Sequence, residues 1–325
     1  MMVGRSFFPL IVVAVSLLLL SVALWPADSV LMTARAPAWI SMPLDQRRIA
    51  SFPRLVDGAA QVTIPVEPVR IVAASVFSAE VLTTIVPRSR IVAVIALAAD
   101  PRYSAVAEQV KNFVTCGAEP EELLAQRPDL VVTDPFTKAE TRFLLAQIQV
   151  PVLEIRPVHD LEDVEDNIRL LGWATGCDTA ADALVEDVRN RRSALQAKAA
   201  LVNGWRVLNL AGATSTYGKG SLLDAAVTAA GAVNLAGSRG MPSYQELDIE
   251  QILSWRPDAL LISVPADGEA KARERLRQMH GMQLLSCVQH DRIVFVPGTA
   301  YGSTSHHVLT VAEMLQTQLC KWGRP

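Results

Sequence analysis

Along this chain the spacing of apolar residues switches repeatedly between two periods, and each switch marks an element boundary. Val69-Arg70-Ile71-Val72-Ala73-Ala74 is a short apolar run of the kind a buried parallel strand needs, and from Ser78 to Val86 the spacing becomes helical. The same alternation predicts a strand at 90–96, a helix at 120–126, a strand at 130–133, a helix at 138–147 and a strand at 152–155. After Gly204 it restarts, with a strand at 206–210, helices at 221–230 and 249–254, a strand at 259–263, a helix at 270–279, a strand at 293–296 and a helix at 308–319. Strands that alternate with helices imply an α/β architecture of largely parallel sheets covered on both faces.

Two helical stretches separate the two series. The first runs from Leu161 to Thr175 and is closed by Gly176; the second is capped by Asp178 and continues to about Ala200. At 1.5 Å per residue the second spans on the order of 33 Å, the width of a small domain. Its apolar stripe, Ala181, Leu184, Val185, Val188 and Leu195, is backed by Asp187, Arg189, Arg191 and Arg192. Such a helix is either a packed surface helix or a strut between two lobes.

The series also repeat in sequence. Glu121-Glu122-Leu123-Leu124-Ala125-Gln126-Arg127-Pro128-Asp129-Leu130-Val131-Val132 matches Glu250-Gln251-Ile252-Leu253-Ser254-Trp255-Arg256-Pro257-Asp258-Ala259-Leu260-Leu261. Each predicts a short helix stopped by proline, then an aspartate and a buried strand. The duplication implies two related lobes, at 57–177 and 204–325, joined by an inter-lobe helix at 178–203.

The N-terminus changes the picture of where these lobes work. Arg5 precedes an uninterrupted apolar run from Phe7 to Leu24, long enough to cross a bilayer, so residues 1–36 are a signal peptide or a membrane anchor and the remainder is extracytoplasmic. Ala34-Arg35-Ala36 resembles a cleavage site, and no cysteine near the end of the run offers a lipid-acceptor thiol. Residues 37–56 are punctuated by proline and predict a tether leading into a hairpin at Asp57-Gly58.

With 325 residues, 50% of them hydrophobic, the chain has material for two cores. A net charge of -3 with interspersed signs excludes a phosphate-backbone footprint, so nucleic acid is not an expected partner. The four cysteines, Cys116, Cys177, Cys287 and Cys320, allow three pairings, of which Cys287 with Cys320 is the simplest. None forms a C-x-x-C, which leaves a structural zinc site unsupported.

These marks together resemble the periplasmic binding proteins for iron-siderophore complexes, heme and vitamin B12. They are Asp57-Gly58-Ala59-Ala60-Gln61-Val62-Thr63-Ile64-Pro65 leading to Pro68-Val69-Arg70-Ile71-Val72, the two Glu-to-Pro-Asp segments, and Tyr217-Gly218-Lys219-Gly220-Ser221-Leu222-Leu223. The resemblance runs from about Val56 to Leu319 and implies two lobes with mostly parallel sheets, joined by a single long backbone helix. It also implies an ABC permease as partner, docked through the acids at Glu121 and Glu250. The loop Ser75-Val76-Phe77-Ser78 departs from the family's serine- and proline-rich turn.

Ligands of open α/β sheets sit at the carboxyl ends of the strands, and the loops predicted there carry recurrent aromatics. Phe77, Tyr103, Phe136, Tyr217 and Tyr244 are the expected wall of a ligand cleft, and Tyr103, Phe136 and Tyr244 fall nearest the positions where the family places aromatic contacts. Aromatic faces suit a flat macrocycle or chelate. Arg239 is a candidate partner for a ligand carboxylate. His306 or Tyr217 is a candidate ligand to a metal carried within the bound complex, the protein itself needing no intrinsic cofactor. The rival readings are a two-lobed enzyme, such as a nucleotide-dependent transferase or nitrogenase-like reductase, and a membrane-anchored ligand sensor. The sequence has no G-x-G-x-x-G after the first strand, no G-x-S-x-G and no H-E-x-x-H, which counts against the enzyme.

Overall fold

The computed structural model describes residues 42–323 apart from 148–149, 213 and 266. The apolar run at 7–24 and the Ala34-Arg35-Ala36 segment lie outside the described residues. Within them, no helix is long and apolar enough to cross a membrane.

The chain enters through a short helix, α1 (Leu44–Ile49), and an antiparallel hairpin of β1 (Arg54–Asp57) and β2 (Gln61–Ile64), which turns at Asp57-Gly58 as the sequence predicts. A parallel sheet follows, ordered β5-β4-β3-β6-β7, from β3 (Ile71–Ala73), β4 (Ile91–Ile95), β5 (Thr115–Cys116), β6 (Leu130–Thr133) and β7 (Val152–Glu154). Its strands are linked through α2 (Val76–Ile85), α3 (Ala107–Val110), α4 (Pro120–Ala125) and α5 (Ala139–Ala146). Two consecutive helices, α6 (Leu161–Thr175) and α7 (Asp178–Val202), lead out of this lobe.

The second lobe is built on β8 (Arg206–Leu210), β10 (Val233–Asn234), β12 (Ala259–Val264) and β13 (Ile293–Pro297), all parallel and ordered β10-β8-β12-β13. A two-residue ladder pairs β9 (Ser215–Thr216) with β11 (Gln245–Glu246). The helices of this lobe are α8 (Leu222–Ala229), α9 (Leu235–Ser238), α10 (Ile249–Trp255), α11 (Glu269–Gln278), α12 (Ser286–Gln289), α13 (Gly298–Tyr301) and the final α14 (Leu309–Trp322). The sheets are separate, and α7 bridges them: its 25 residues, about 37 Å at 1.5 Å each, pack on α2 and α6 of the first lobe and on α8 and α14 of the second. It is a strut.

Burial follows strand alternation. Ile71, Ala73, Leu130 and Val132 join the largest core, which continues along Ala181, Leu184, Val185, Val188 and Leu195 of the strut to Val207, Ala259 and Leu261 of the second sheet. Val72 and Val131 face a smaller cluster on the other side of the first sheet, and Leu208, Leu260 and Ile262 do the same in the second lobe. Both sheets are therefore covered on both faces, which is why their strands read as continuous apolar runs.

The repeated Arg-Pro-Asp turns have one structural job in both lobes. The Asp129 carboxylate accepts from the Val69 and Arg70 amides at 2.8 and 2.9 Å, and Asp258 accepts from the Arg206 amide at 2.9 Å. Arg70 and Arg206 then donate to the carbonyls of Arg127 and Arg256, at 2.8 and 2.9 Å. Each turn thus ties the start of a central strand to the strand beside it.

Three expectations are corrected by the structure. The stretch 37–56 is not a free tether over its described part: Arg54, 4% exposed, donates to Asp178 (2.9 Å), to the Trp173 carbonyl (2.9 Å) and to the Ala50 carbonyl (2.7 Å), while Arg47 pairs with Asp182. Asp178 accordingly spends its carboxylate on Arg54, and Cys177 occupies the cap position of the strut. Cys287 and Cys320 are not paired, since Cys287 lies in the smaller core of the second lobe, Cys320 packs on the large core, and all four thiols are free. Burial pushes the Cys116 and Cys287 thiols up to about 11, with Glu122 adding to the effect at Cys116. Iodoacetamide at pH 8 should therefore modify Cys177 and Cys320 well before the other two, as peptide mass mapping would show; rapid native labelling of Cys116 or Cys287 would contradict this burial.

Candidate functional site

At the carboxyl end of β4 the chain turns through Asp100, whose carboxylate accepts from the Arg102 amide (2.9 Å) and guanidinium (2.6 Å). The Arg102 side-chain hydrogen bond holds the Asp100 carboxyl below its usual range, and the guanidinium also lies 5.3 Å from the Tyr103 ring centre. The turn leaves Tyr103 50% exposed. After β6, Asp134 accepts from the Phe136 amide (3.1 Å) and the Thr137 hydroxyl (3.3 Å), a side-chain-closed turn that directs Phe136 outward with 80% of its surface exposed. Burial raises the Asp134 carboxyl despite these bonds. The first lobe thus presents two exposed aromatics on strand-end loops.

The second lobe presents a cluster. Tyr217 follows β9 and Tyr244 precedes β11, so the β9–β11 ladder brings their rings to 5.5 Å, edge to face, and Tyr301 of α13 meets Tyr217 at 5.9 Å. Asn209, fully buried in β8, organises the group. Its side-chain oxygen accepts from the Tyr217 amide (2.8 Å) and the Tyr301 hydroxyl (3.1 Å), and its side-chain nitrogen donates to the Tyr217 carbonyl (2.8 Å). Tyr244 donates to the Ser215 hydroxyl at 3.1 Å. Burial, then the neighbouring Tyr244, raises the Tyr217 phenol, so the ring is neutral at ordinary pH. Gly218 lets the Met241–Pro242 backbone lie on this loop: a Cβ there would stand 2.5 Å from the Pro242 carbonyl oxygen. Asn209 was not expected from the sequence, although an amide inside an apolar strand is the signal that marks it.

Three expected site residues are placed elsewhere. Phe77 is 1% exposed inside the large core, because α2 starts at Val76 behind the Ser75–Ser78 capping box and turns the ring inward. His306 is 5% exposed, stacked 4.1 Å from His307 where a short turn capped by Ser305 folds it against the body, so neither Phe77 nor His306 offers a face to a ligand here. Arg239 is exposed, with its guanidinium 5.1 Å over Trp255 rather than among the tyrosines.

Burial lowers the His306 imidazole to about 3, with His307 and Arg191 acting in the same sense; burial lowers His307 too, against the pull of Glu80. A folded value below the unfolded one means that the unfolded chain binds the extra proton first. The associated stability is complete above the ordinary histidine range and drains as pH falls through it towards about 3, at about 1.4 kcal/mol per pH unit for one such group. Thermal melts from pH 7 to 5 should show a falling midpoint, flattened in His306→Gln; an unchanged slope in that variant would refute a neutral His306.

Glu121 and Glu250 occupy corresponding first-turn positions of α4 and α10. Both are exposed, and neither forms an ion pair among the described residues. Glu122 beside the first is taken by the Gly117 amide at 2.7 Å. A cavity of about 850 Å3 lies between the lobes along the strut, lined by Asp160, Glu162, Arg192, Lys219, Ser221 and Asp224 among others, and contains none of the predicted aromatics.

Residues 71–300, both sheets and the strut, match the periplasmic binding protein family. The chain belongs to that family. This periplasmic binding protein is similar to the cobalamin-binding protein of Halobacterium salinarum, 28% identical over 255 residues that cover 74% of this chain and 68% of the other. An uncharacterized ABC transporter substrate-binding lipoprotein of Bacillus subtilis, YvrC, is 23% identical over 288 residues, covering 83% and 88%. Among solved structures, the apo periplasmic heme-binding protein RhuT from Roseiflexus sp. RS-1 superposes with a TM-score of 0.68 at 20% identity, over 78% of this chain and 98% of that one. At that identity the likeness establishes the fold, and the two-lobed form with a long bridging helix is the one expected from the sequence.

Proposed function

We propose that this periplasmic binding protein is the extracytoplasmic substrate-binding component of an ABC importer. On this reading it takes an iron siderophore, a heme or a cobalamin into the cleft between the lobes and delivers it to a permease. The observation that carries the ligand class is the set of partly exposed aromatic rings on strand-end loops of both lobes, Tyr103 and Phe136 on one and Tyr217 and Tyr244 on the other. Such faces stack on a broad, flat ligand without requiring many hydrogen bonds. The relatives named above, a cobalamin-binding protein, an ABC transporter substrate-binding lipoprotein and a heme-binding protein, support the same class. Glu121 and Glu250 dock the loaded protein, and residues 7–24 serve as export signal or membrane anchor. The role is binding and delivery, and no residue is assigned to catalysis.

Absorption titrations of the purified protein with hemin, cyanocobalamin and a ferric hydroxamate test the reading. One of the three should produce a saturable spectral change at a single site; linear behaviour with all three would remove the proposed ligand class.

A further inference from the structure

Glu80 of α2 is fully buried, and its carboxylate is filled from both lobes. One oxygen accepts from the Ala105 amide (3.0 Å) and the Ser104 hydroxyl (3.4 Å), both of the first lobe. The other accepts from the hydroxyls of Ser305 (2.6 Å) and Ser303 (3.2 Å), which follow α13 in the second lobe. The two serines are tied into one unit, since the Ser305 amide donates to the Ser303 hydroxyl at 3.0 Å and the His307 amide to the Ser305 hydroxyl at 3.3 Å. No lysine or arginine pairs with Glu80 among the described residues, so four hydrogen-bond donors stand in place of a cation. A buried carboxylate persists only when such donors fill its lone pairs, and half of these belong to the other lobe.

An apolar contact would hold the lobes together but would tolerate sliding. Directional bonds to one carboxylate fix both distance and angle. Near this point the backbones also converge, for a Cβ on Gly298 would lie 3.6 Å from the Arg102 carbonyl oxygen across the lobe boundary. After β7, by contrast, the chain leads into Asp160–Glu162, and these residues line, together with Lys219–Asp224 of the second lobe, the cavity that separates the lobes. We propose that Glu80 is an inter-lobe clasp, which sets the relative orientation of the lobes on the β4 side of the first sheet and leaves the β7 side as the place where they part. Ser104 directly follows Tyr103, and the action of the clasp does not depend on which ligand the aromatic loops receive.

The test is hydrogen–deuterium exchange on the full protein carrying Ser303→Ala and Ser305→Ala, both changes in the second lobe. Exchange should accelerate about tenfold or more at residues 104–107 of the first lobe, with native circular dichroism and a larger radius of gyration in X-ray scattering. A folded variant whose 104–107 exchange and scattering match the unmodified protein would overturn the proposal. Glu80→Gln, which keeps the volume and one acceptor oxygen, decides the matter if the double variant does not fold. There the segment 303–308 should exchange faster, and unchanged exchange in that segment would equally overturn the clasp.

Discussion

Reversing both acids proposed to dock, Glu121→Arg with Glu250→Arg, should abolish uptake by the intact transport system while ligand affinity of the isolated protein stays at its unmodified value. Both carboxylates stand in the first turn of a short helix, exposed and free of ion pairs among the described residues, so their charge is available to a partner. The helices do not depend on them. Pro120 starts one, and the Asp248–Gln251 capping box starts the other, with 2.7 and 3.0 Å bonds. A first-turn acid contributes only about 0.3–1 kcal/mol to its helix, so the fold survives the change. Breaking a desolvated ion pair across an interface costs about 2–5 kcal/mol, or about thirtyfold in affinity at the lower end, and two such pairs compound. Uptake assays in cells, run beside ligand titrations of the purified variant, separate the effects. Normal uptake would remove the docking role; lost ligand binding would move the acids into the cleft.

The second large effect is on stability. Arg54→Met should lower unfolding stability by about 3 kcal/mol, the cost of leaving a buried acid with only its longer 3.9 Å ion pair to Arg47. Arg54 and Asp178 are both nearly inaccessible, their bond is 2.9 Å, and the guanidinium lies 4.2 Å over the Trp173 ring while donating to three carbonyls. Arg54 therefore fastens the entry hairpin to the α6–α7 corner, at the end of the strut. Asp178→Asn, which preserves shape while removing the charge, should cost less. Urea unfolding measures both; an Arg54→Met variant within about 0.5 kcal/mol of the parent would mean that this network stabilises nothing.

How much of this was legible depends on how local the cause is. Strands β3, β6, β8, β12 and β13 are covered on both faces, so their apolar runs declared them, and the strut announced itself through the stripe from Ala181 to Leu195. The two-residue strands β5, β9, β10 and β11 were not legible, because so short a strand has no period to read. The partnership of Arg54 with Asp178 spans 124 positions and leaves no trace in either neighbourhood. Tyr103, Phe136, Tyr217 and Tyr244 do lie on strand-end loops with part of their surface exposed, a placement that was legible because loop aromatics stand out by type. Phe77 went wrong by a two-residue shift in a helix start: the expected helix began at Ser78, whereas the Ser75 cap begins it at Val76 and turns the ring into the core. His306 went wrong for a similar reason, since Ser305 caps a turn that no hydrophobic period reveals. Asn209 shows the converse, a polar residue whose role appears only once two tyrosines, Tyr217 and Tyr301, have been brought to it by separate segments.

The most direct measurement is a map of amide protection in the protein saturated with whichever complex the titrations select. Slowed exchange is expected in four loops at once, around 100–104 and 134–137 of the first lobe and around 214–220 and 241–245 of the second. Protection confined to one lobe, or appearing only along the polar cavity beside the strut, would contradict a ligand held between the two aromatic walls.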